Sequence, residues 1–427
     1  MSRGLAVYVD NLRVFSRRGK PIIKEASFKL SEGDLAIVIG RSGSGKTTIL
    51  RALAGVATNI FGLRVEGSIK IMGSKPSLSV LRDFVSYIPQ EPWSAIASPY
   101  PLVELTSFSR ASRSEALEIL EELGLGNVVN ENTSCLSPGE IQRLLIAEAY
   151  LMHSKVLLID EALSYLDPKS RVEVAKLIKE LVEEGATAIV VDHVLDPWLD
   201  SYTKVIMVED GVAREVENVS ETGYLEALES CLKRFEKLRP LHRESEYVIE
   251  VDNLWFRYPD SKSYVLKGVS LRVGVGEVVV IKGASGRGKS TLLKVLAGIY
   301  RASRGRKVVR YGLQLVPENP LLYISSPTPR EELGGDEGLA ELAMIKHCLD
   351  TPIAFLSGGE RRRLAIASAF SRSPKLLLLD EPSVGLDPWS ALSVAELISR
   401  LCKAGSSVVI ATHDPYLSKL GSSVIEI

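Results

Sequence analysis

Cysteine is scarce in this chain of 427 residues: four in all, at positions 135, 231, 348 and 402, with no Cys-x-x-Cys pair and no accompanying histidine cluster. That scarcity leaves no support for a disulfide framework, a zinc site or an iron–sulfur cluster, and makes ordinary reduced thiols the expectation. An excess of either charge is also missing, since 52 Lys and Arg stand against 53 Asp and Glu, a formal net charge of −1. No global field therefore favours nucleic acid or an anionic membrane surface as a partner. Long apolar runs are absent too. No uninterrupted stretch reaches the roughly 18 residues of a membrane span, and charges break up the N-terminal segment, so neither a span nor a secretory leader is expected. With 45% hydrophobic and 25% charged residues, the composition is that of soluble globular protein, long enough for two domains and expected in the cytoplasm.

What is present is an internal repeat. VDNL at 9–12 returns at 251–254, and GRSGSGKT at 40–47 returns as GASGRGKS at 283–290, an offset of 243. LSPGE at 136–140 returns as LSGGE at 356–360, VLLIDE at 156–161 as LLLLDE at 376–381, and VDH at 191–193 as ATH at 411–413, all at an offset of 220. The change of offset places a deletion of about 23 residues in the second half, between its Gly-rich loop and LSGGE. The halves are expected over 1–218 and 247–427. Between them, 219–246 reads as a surface connector whose Leu225, Leu228, Leu232 and Leu238 give a short amphipathic helix ending near Pro240.

Each half opens with alternating apolar residues, as in VYVDNLRV and YVIEVDNLWF, the pattern of half-buried strands. Later runs such as AIVIG, VLLID and AIVV are continuously apolar, as in a parallel sheet covered on both faces, so the fold class is α/β. Each Gly-rich loop follows one such strand and precedes a helical run, the context that gives the motif its meaning. Gly40, Arg41, Ser42, Gly43, Ser44, Gly45, Lys46, Thr47 and Thr48 form the first loop. Gly283, Ala284, Ser285, Gly286, Arg287, Gly288, Lys289, Ser290 and Thr291 form the second. Backbone N–H groups turned inward at a helix N-terminus make an anion nest suited to a triphosphate. Lys46 and Lys289 would neutralise its charge, and the hydroxyls of Thr47 and Ser290 would ligate Mg²⁺.

Asp160 and Asp380 each end an apolar strand, at the edge where open α/β sheets place ligands, and each can reach the metal. Glu161 and Glu381 follow as candidates to orient or deprotonate an attacking water, and His193 and His413, 33 residues beyond the aspartates, could bond the γ-phosphate region. The bland alternative, helix caps and a structural histidine, is weakened by the identical spacing in both halves. Ser137 and Ser357 head polar turns before helices, where Ser with Glu three residues later is also a plain capping box. Arginines 361–363 read as the solvated face of the second of these helices.

In this order, twice over, these residues resemble the ATP-binding cassette superfamily: Walker A, a Q-loop at Gln90 in YIPQEP, the LSGGE-type signature, Walker B, a D-loop (164–167 and 383–387) and an H-loop. The resemblance implies two tandem P-loop nucleoside-triphosphatase domains, each with a mainly parallel sheet, an antiparallel subdomain and a helical subdomain. It implies ATP and Mg²⁺ as cofactors, with Thr47, Gln90, Asp160, Ser290 and Asp380 around the metal and Glu161, His193, Glu381 and His413 as catalytic residues. It further implies head-to-tail pairing of the two cassettes. Lys46 would then share a nucleotide with Ser357, Gly358 and Gly359, and Lys289 one with Ser137 and Gly139. Three positions depart from the family's pattern. Tyr258 supplies a base-stacking aromatic in the second half, where the first has Ser16 beside Phe15; Glu318 stands at the second Q-loop position; and Pro138 replaces a signature glycine, removing an N–H.

The segments after the Q-loop positions, Pro92-Trp93-Ser94-Ala95-Ile96-Ala97-Ser98-Pro99 and Pro320-Leu321-Leu322-Tyr323-Ile324-Ser325-Ser326-Pro327, each lead to a Glu-Leu pair. They look like segments of energy-coupling factor importers of vitamins or metal ions, which implies integral membrane subunits as partners and a peripheral place on the cytoplasmic face of the membrane. The same apolar residues could instead be core of the helical subdomain. A fused sugar-import ATPase and a soluble translation-associated cassette protein are the competing readings; the latter's long charged linker is missing, as is the cysteine-rich domain of a ribosome-recycling factor. The basic stretch Arg301, Arg304, Arg306, Lys307 and Arg310 reads as a solvated loop near a sheet edge and requires no nucleic-acid partner.

Overall fold

The computed structural model describes residues 4–17, 19–90, 92–109, 111–161, 163, 166, 168–239, 246–259, 261, 263–283, 286–372 and 375–427, with the backbone alone at 78, 138, 168 and 169. The chain divides into two compact units, Met1–Glu226 and Ala227–Ile427. Of the expected loop residues, Ala284 and Ser285 lie outside the described residues, as do positions 164, 165 and 167 of the first D-loop.

In the first unit, β1 (Leu5–Phe15), β2 (Pro21–Ser31), β3 (Leu35–Ile39), β4 (Arg64–Ile71), β5 (Val85–Ile88), β6 (Val156–Asp160), β7 (Thr187–Val191), β8 (Lys204–Glu209) and β9 (Val212–Val216) form one sheet in the order β4-β1-β2-β9-β8-β3-β7-β6-β5. β4, β1 and β2 pair antiparallel, whereas β5, β6, β7, β3 and β8 run parallel. The two kinds of apolar pattern sort as expected. Alternating β1 buries Val7, Val9, Leu12 and Val14 on one face, and β3, β6 and β7 are buried at every position because helices cover both sides. The parallel strands all end at one edge, so Asp160 and the residues after Val191 emerge side by side.

The second unit splits the same plan in two. β10 (Tyr247–Phe256), β11 (Leu266–Gly274) and, beyond β12 (Val278–Lys282), β13 (Arg304–Val309) make an antiparallel sheet ordered β11-β10-β13. With β14 (Gln314–Val316), β15 (Leu376–Asp380), β16 (Ser407–Ala411) and β17 (Ser423–Glu426), β12 makes a parallel sheet ordered β14-β15-β16-β12-β17. The trimming falls in two places. Lys46 precedes Gln90 by 44 residues but Lys289 precedes Glu318 by 29, and helix Leu78–Phe84 of the first unit has no counterpart before β14. The rest is lost from the helical lobe, where Pro101–Phe108 and Arg113–Glu122 shrink to Pro329–Glu332 and Glu337–Leu342.

Three expectations are corrected. The connector is no surface tether: its helix Tyr224–Glu236 buries Cys231 and Phe235 in the core of the second unit, where Cys231 Sγ donates to the Pro388 carbonyl at 3.4 Å and Lys419 bonds Glu236 at 2.7 Å. Arg362 and Arg363 are buried rather than solvated. Their guanidinium N–H groups donate to the carbonyls of Val384 and Ala343, while Arg361 donates to that of Leu356. The basic stretch is largely the edge strand β13, and Lys307 caps the C-terminal carbonyls of Val295 and Leu296 at 2.6 and 3.3 Å. Among the described residues, no helix is long and apolar enough to cross a membrane.

Candidate functional site

In the first unit the Gly-rich loop turns β3 into helix Lys46–Leu53 through Gly45, at φ 112°; a Cβ there would meet the Ile23 side chain at 2.3 Å, so the turn requires glycine. Gly288 repeats it at φ 95° against Val265. Lys46 lies across its own loop, its Nζ donating to the carbonyls of Gly40 at 2.7 Å and Arg41 at 3.0 Å. Thr47 Oγ1 donates to Asp160 Oδ1 at 3.0 Å, and the Tyr87 hydroxyl donates to Asp160 Oδ2 at 3.3 Å. Glu161 adopts a left-handed backbone (φ 55°), fixed by its N–H on the Val191 carbonyl at 2.8 Å. Its carboxylate accepts from Gln90 Nε2 at 2.6 Å and lies 3.0 Å from His193 Nε2.

The second unit assembles the matching set. Lys289 Nζ donates to the Gly283 carbonyl at 2.9 Å and lies 3.6 Å from Glu381 Oε1; Ser290 Oγ donates to Asp380 Oδ1 at 3.0 Å. Glu381 repeats the left-handed backbone (φ 44°) and the N–H bond, here to Ala411. His413 Nδ1 meets Glu381 Oε1 at 3.0 Å, and the Thr412 hydroxyl donates to Oε2 at 3.0 Å. Two non-glycine residues in sparsely populated backbone space, both at the strand end beside a phosphate-type loop, mark strain kept at a working site. Tyr258 lies beside the second loop, its hydroxyl 2.9 Å from that of Thr291, within an aromatic group with Phe256 and Tyr300. In the first unit Phe15 is instead covered by the Arg64 guanidinium at 4.4 Å.

Burial, then the neighbouring Glu161 charge, pushes the Asp160 carboxyl up to about 7, and burial pushes Asp380 up to about 6. Both shifts come first from taking a carboxylate out of water. Burial would also raise Glu381, but the His413 ring and the Lys289 ammonium outweigh it and hold its carboxyl below the ordinary value. Glu318 is raised by burial and then by the charges of Asp380 and Glu381, so its carboxyl feels the second cluster, though among the described residues no hydrogen bond joins it to Glu381 as Gln90 is joined to Glu161.

The signature residues do not join these clusters within their own units. Ser137 and Ser357 cap their helices, each hydroxyl accepting from the N–H of the Glu three residues on at 3.3 Å while that Glu returns to the serine N–H at 2.7 Å. Gly139 and Gly359 follow as buried first-turn residues, and Gly358 begins the second helix. Sequence reasoning missed Tyr87 and the residues before the histidines, Asp192 and Thr412, both buried at the strand end. Their signal was the VDH and ATH triplets, read only as repeat markers.

The donors suit the expected cofactors. Hydroxyl–carboxylate pairs of hard oxygens at Thr47–Asp160 and Ser290–Asp380 fit Mg²⁺, and a lysine already drawn to loop carbonyls sits where phosphate oxygens would replace them. Bound ATP–Mg²⁺ supplies the phosphoryl group and the charge that these pairs would neutralise; the protein's part is to orient water and hold charge.

The model of the family described as ABC transporter matches residues 23–164 and again 266–384. An ABC transporter ATP-binding protein of Methanosarcina acetivorans is 28% identical over 92% of this chain and 83% of its own length. One from Clostridium tetani is 30% identical over 70% of this chain and 80% of its own. Among solved structures, the RNase-L Inhibitor is 25% identical with a TM-score of 0.66 over 96% of this chain and 86% of its own. A model of ribosome-bound archaeal Pelota and ABCE1 is 25% identical with a TM-score of 0.70 over 96% of this chain and 75% of its own. The chain therefore belongs to the ABC transporter family, as an ATP- and Mg²⁺-binding ATPase with two fused cassettes.

Proposed function

We propose that this ATPase is the energising subunit of a membrane transporter, with ATP held head to tail at two interfaces between its own cassettes. The first site would combine Lys46, Asp160, Glu161 and His193 with Ser357, Gly358 and Gly359; the second, Lys289, Asp380, Glu381 and His413 with Ser137 and Gly139. One observation carries the transport reading. In each unit the segment after the Q-loop position is pinned from beneath by a buried glutamate. Glu104 accepts from the N–H groups of Ala97 and Ser98 at 3.1 and 2.5 Å, and Glu332 from those of Ser325 and Ser326, both at 3.0 Å. The pinned segments present large apolar side chains outward: Trp93 is 44% exposed, Leu321 45% and Leu322 78%. Apolar side chains held out to solvent beside the catalytic cluster suit a partner's helix, and through Gln90 they connect to Glu161.

The energy-coupling factor reading is the specific form we favour, a shared membrane protein with a small vitamin- or metal-binding subunit, and a fused sugar importer is its alternative. Purification of the tagged protein from its own cells after mild detergent extraction tests this. Recovery of a multi-span membrane protein with a small integral subunit is the expected outcome. The likeness to a ribosome-bound assembly favours a second, translation-associated reading, and recovery with ribosomes but without membrane proteins would replace the first reading by it. Replacing Glu161 and Glu381 separately by Gln and finding full ATPase activity both times would overturn the assignment of the catalytic carboxylates.

A further inference from the structure

The two catalytic clusters share a backbone and differ in what flanks the glutamate. Glu161 and Glu381 both have a left-handed φ, 55° and 44°, and each donates its N–H to the carbonyl of the last residue of the neighbouring strand at 2.8 Å. The residue after that strand folds the same small turn in both units, Asp192 Oδ1 accepting from the Val194 N–H and Thr412 Oγ1 from the Asp414 N–H, each at 3.0 Å. On this common frame donor and acceptor have changed places. In the first unit the Q-loop side offers an amide donor, Gln90, and the strand-end side offers a carboxylate, Asp192, whose Oδ2 is buried and meets no hydrogen-bond donor among the described residues. In the second unit the Q-loop side offers the carboxyl of Glu318, and the strand-end side offers the Thr412 hydroxyl.

In both units one carboxylate oxygen stays on the strand-end histidine, Glu161 Oε1 at 3.0 Å from His193 Nε2 and Glu381 Oε1 at 3.0 Å from His413 Nδ1. The second oxygen follows the donors. Glu161 Oε2 turns to Gln90 at 2.6 Å. Glu381 Oε2 stays at the strand end, receiving both the Thr412 hydroxyl at 3.0 Å and the His413 backbone N–H at 3.2 Å. In each unit attraction from one side and like charge from the other act in the same sense. We propose that Asp192 and Thr412 are positioning residues that, with Gln90 and Glu318, direct Glu161 toward the Q-loop and latch Glu381 on its strand, so that the first unit's loop turns over ATP and the second unit's retains it. A base that moves with the Q-loop segment responds to whatever seats on Trp93. The latched base carries two strand-end bonds on Oε2 beyond the histidine contact that both units share, and must release them before that oxygen can reach a water.

This rests on the reading of Glu161 and Glu381 as the two bases, and the test separates the two claims. In a Glu161→Gln protein only the second unit's base remains. There Thr412→Val is expected to raise kcat about ten-fold, the equivalent of one hydrogen bond, with KM and the equilibrium Kd for MANT-ATP unchanged; Thr412→Ser restores the slow rate. In a Glu381→Gln protein, Asp192→Thr, which supplies a strand-end hydroxyl in place of the carboxylate, is expected to lower kcat by a similar factor, again without a change in MANT-ATP Kd. This second variant keeps the test decisive should the valine variant fold poorly. Unchanged kcat in both backgrounds, or a Kd that moves with kcat, overturns the latch. A Glu161→Gln/Glu381→Gln double variant that hydrolyses ATP at the wild-type rate overturns the underlying assignment instead.

Discussion

At the scale of single residues, the buried aspartates that end β6 and β15 work against the stability of the protein that carries them. Asp160 is fully buried, and its carboxyl is pushed up to about 7 by burial and by Glu161, with the Thr47 and Tyr87 hydroxyls only partly offsetting this. A carboxyl whose folded pKa lies above its unfolded value binds more protons in the folded state, so stability falls as pH rises from about 4 to about 7 and stays reduced above that window. Asp160→Asn removes the buried charge while keeping the hydrogen-bonding shape. In nucleotide-free, metal-free protein it is expected to raise Tm at pH 8 by at least about 2–4 °C, the response of a domain of this size to about 1 kcal/mol, and to leave Tm nearly unchanged at pH 3.5. Calorimetry across that pH range checks the sign. A lower Tm at pH 8 would mean that the hydroxyl bonds, not desolvation, govern the site. Asp380→Asn follows the same logic with its window ending near 6.

At the scale of elements, much was legible because periodicity follows burial. The alternating runs became half-buried antiparallel strands and the continuous runs became β3, β6, β7 and their counterparts, since a strand covered on both faces has no polar side to alternate with. The phosphate loops and strand-end carboxylates were legible because their chemistry fixes residue type and spacing. What stayed hidden depends on neighbours distant in sequence: Arg362 and Arg363 look like solvent charges until the carbonyls that receive them are in place, and the Tyr224–Glu236 helix looks like a tether until its Phe235 meets the second core. The Glu-Leu pairs belong to this class. Glu332 appeared as a motif letter, yet it is buried and gathers the Ser325 and Ser326 N–H groups, the Ser368 hydroxyl at 2.6 Å and the Arg372 guanidinium at 3.0 Å. Burial alone would raise its carboxyl; those donors lower it instead. Glu332→Ala strands several buried donors and is expected to destabilise the second unit by about 2–3 kcal/mol, with faster proteolysis at 320–327, whereas Glu332→Gln retains part of the network and is expected to cost less. Equal losses for both variants would show that side-chain volume, rather than the donor set, holds the segment.

At the scale of the whole molecule, the question is which signature serves which phosphate loop. Within its own unit each signature serine is bonded to its own helix turn, Ser137 to Glu140 and Ser357 to Glu360. If each unit worked alone, damage to a signature would fall on the unit that carries it. If the cassettes pair head to tail, it falls on the other. Single-base proteins separate these cases, because Glu381→Gln leaves only the Lys46 site with its base and Glu161→Gln only the Lys289 site. Ser357→Arg, at an exposed turn where loss of the helix N-cap costs only about 1 kcal/mol, is expected to lower ATPase activity at least 100-fold in the Glu381→Gln protein, within the range for losing a group that contacts the transferring phosphoryl. The same substitution in the Glu161→Gln protein is expected to leave most of the remaining activity. Ser137→Arg should show the reverse pattern. Crossed losses establish that each site draws its signature from the other cassette, whereas uncrossed losses would mean that each unit hydrolyses with its own signature and that head-to-tail pairing is wrong.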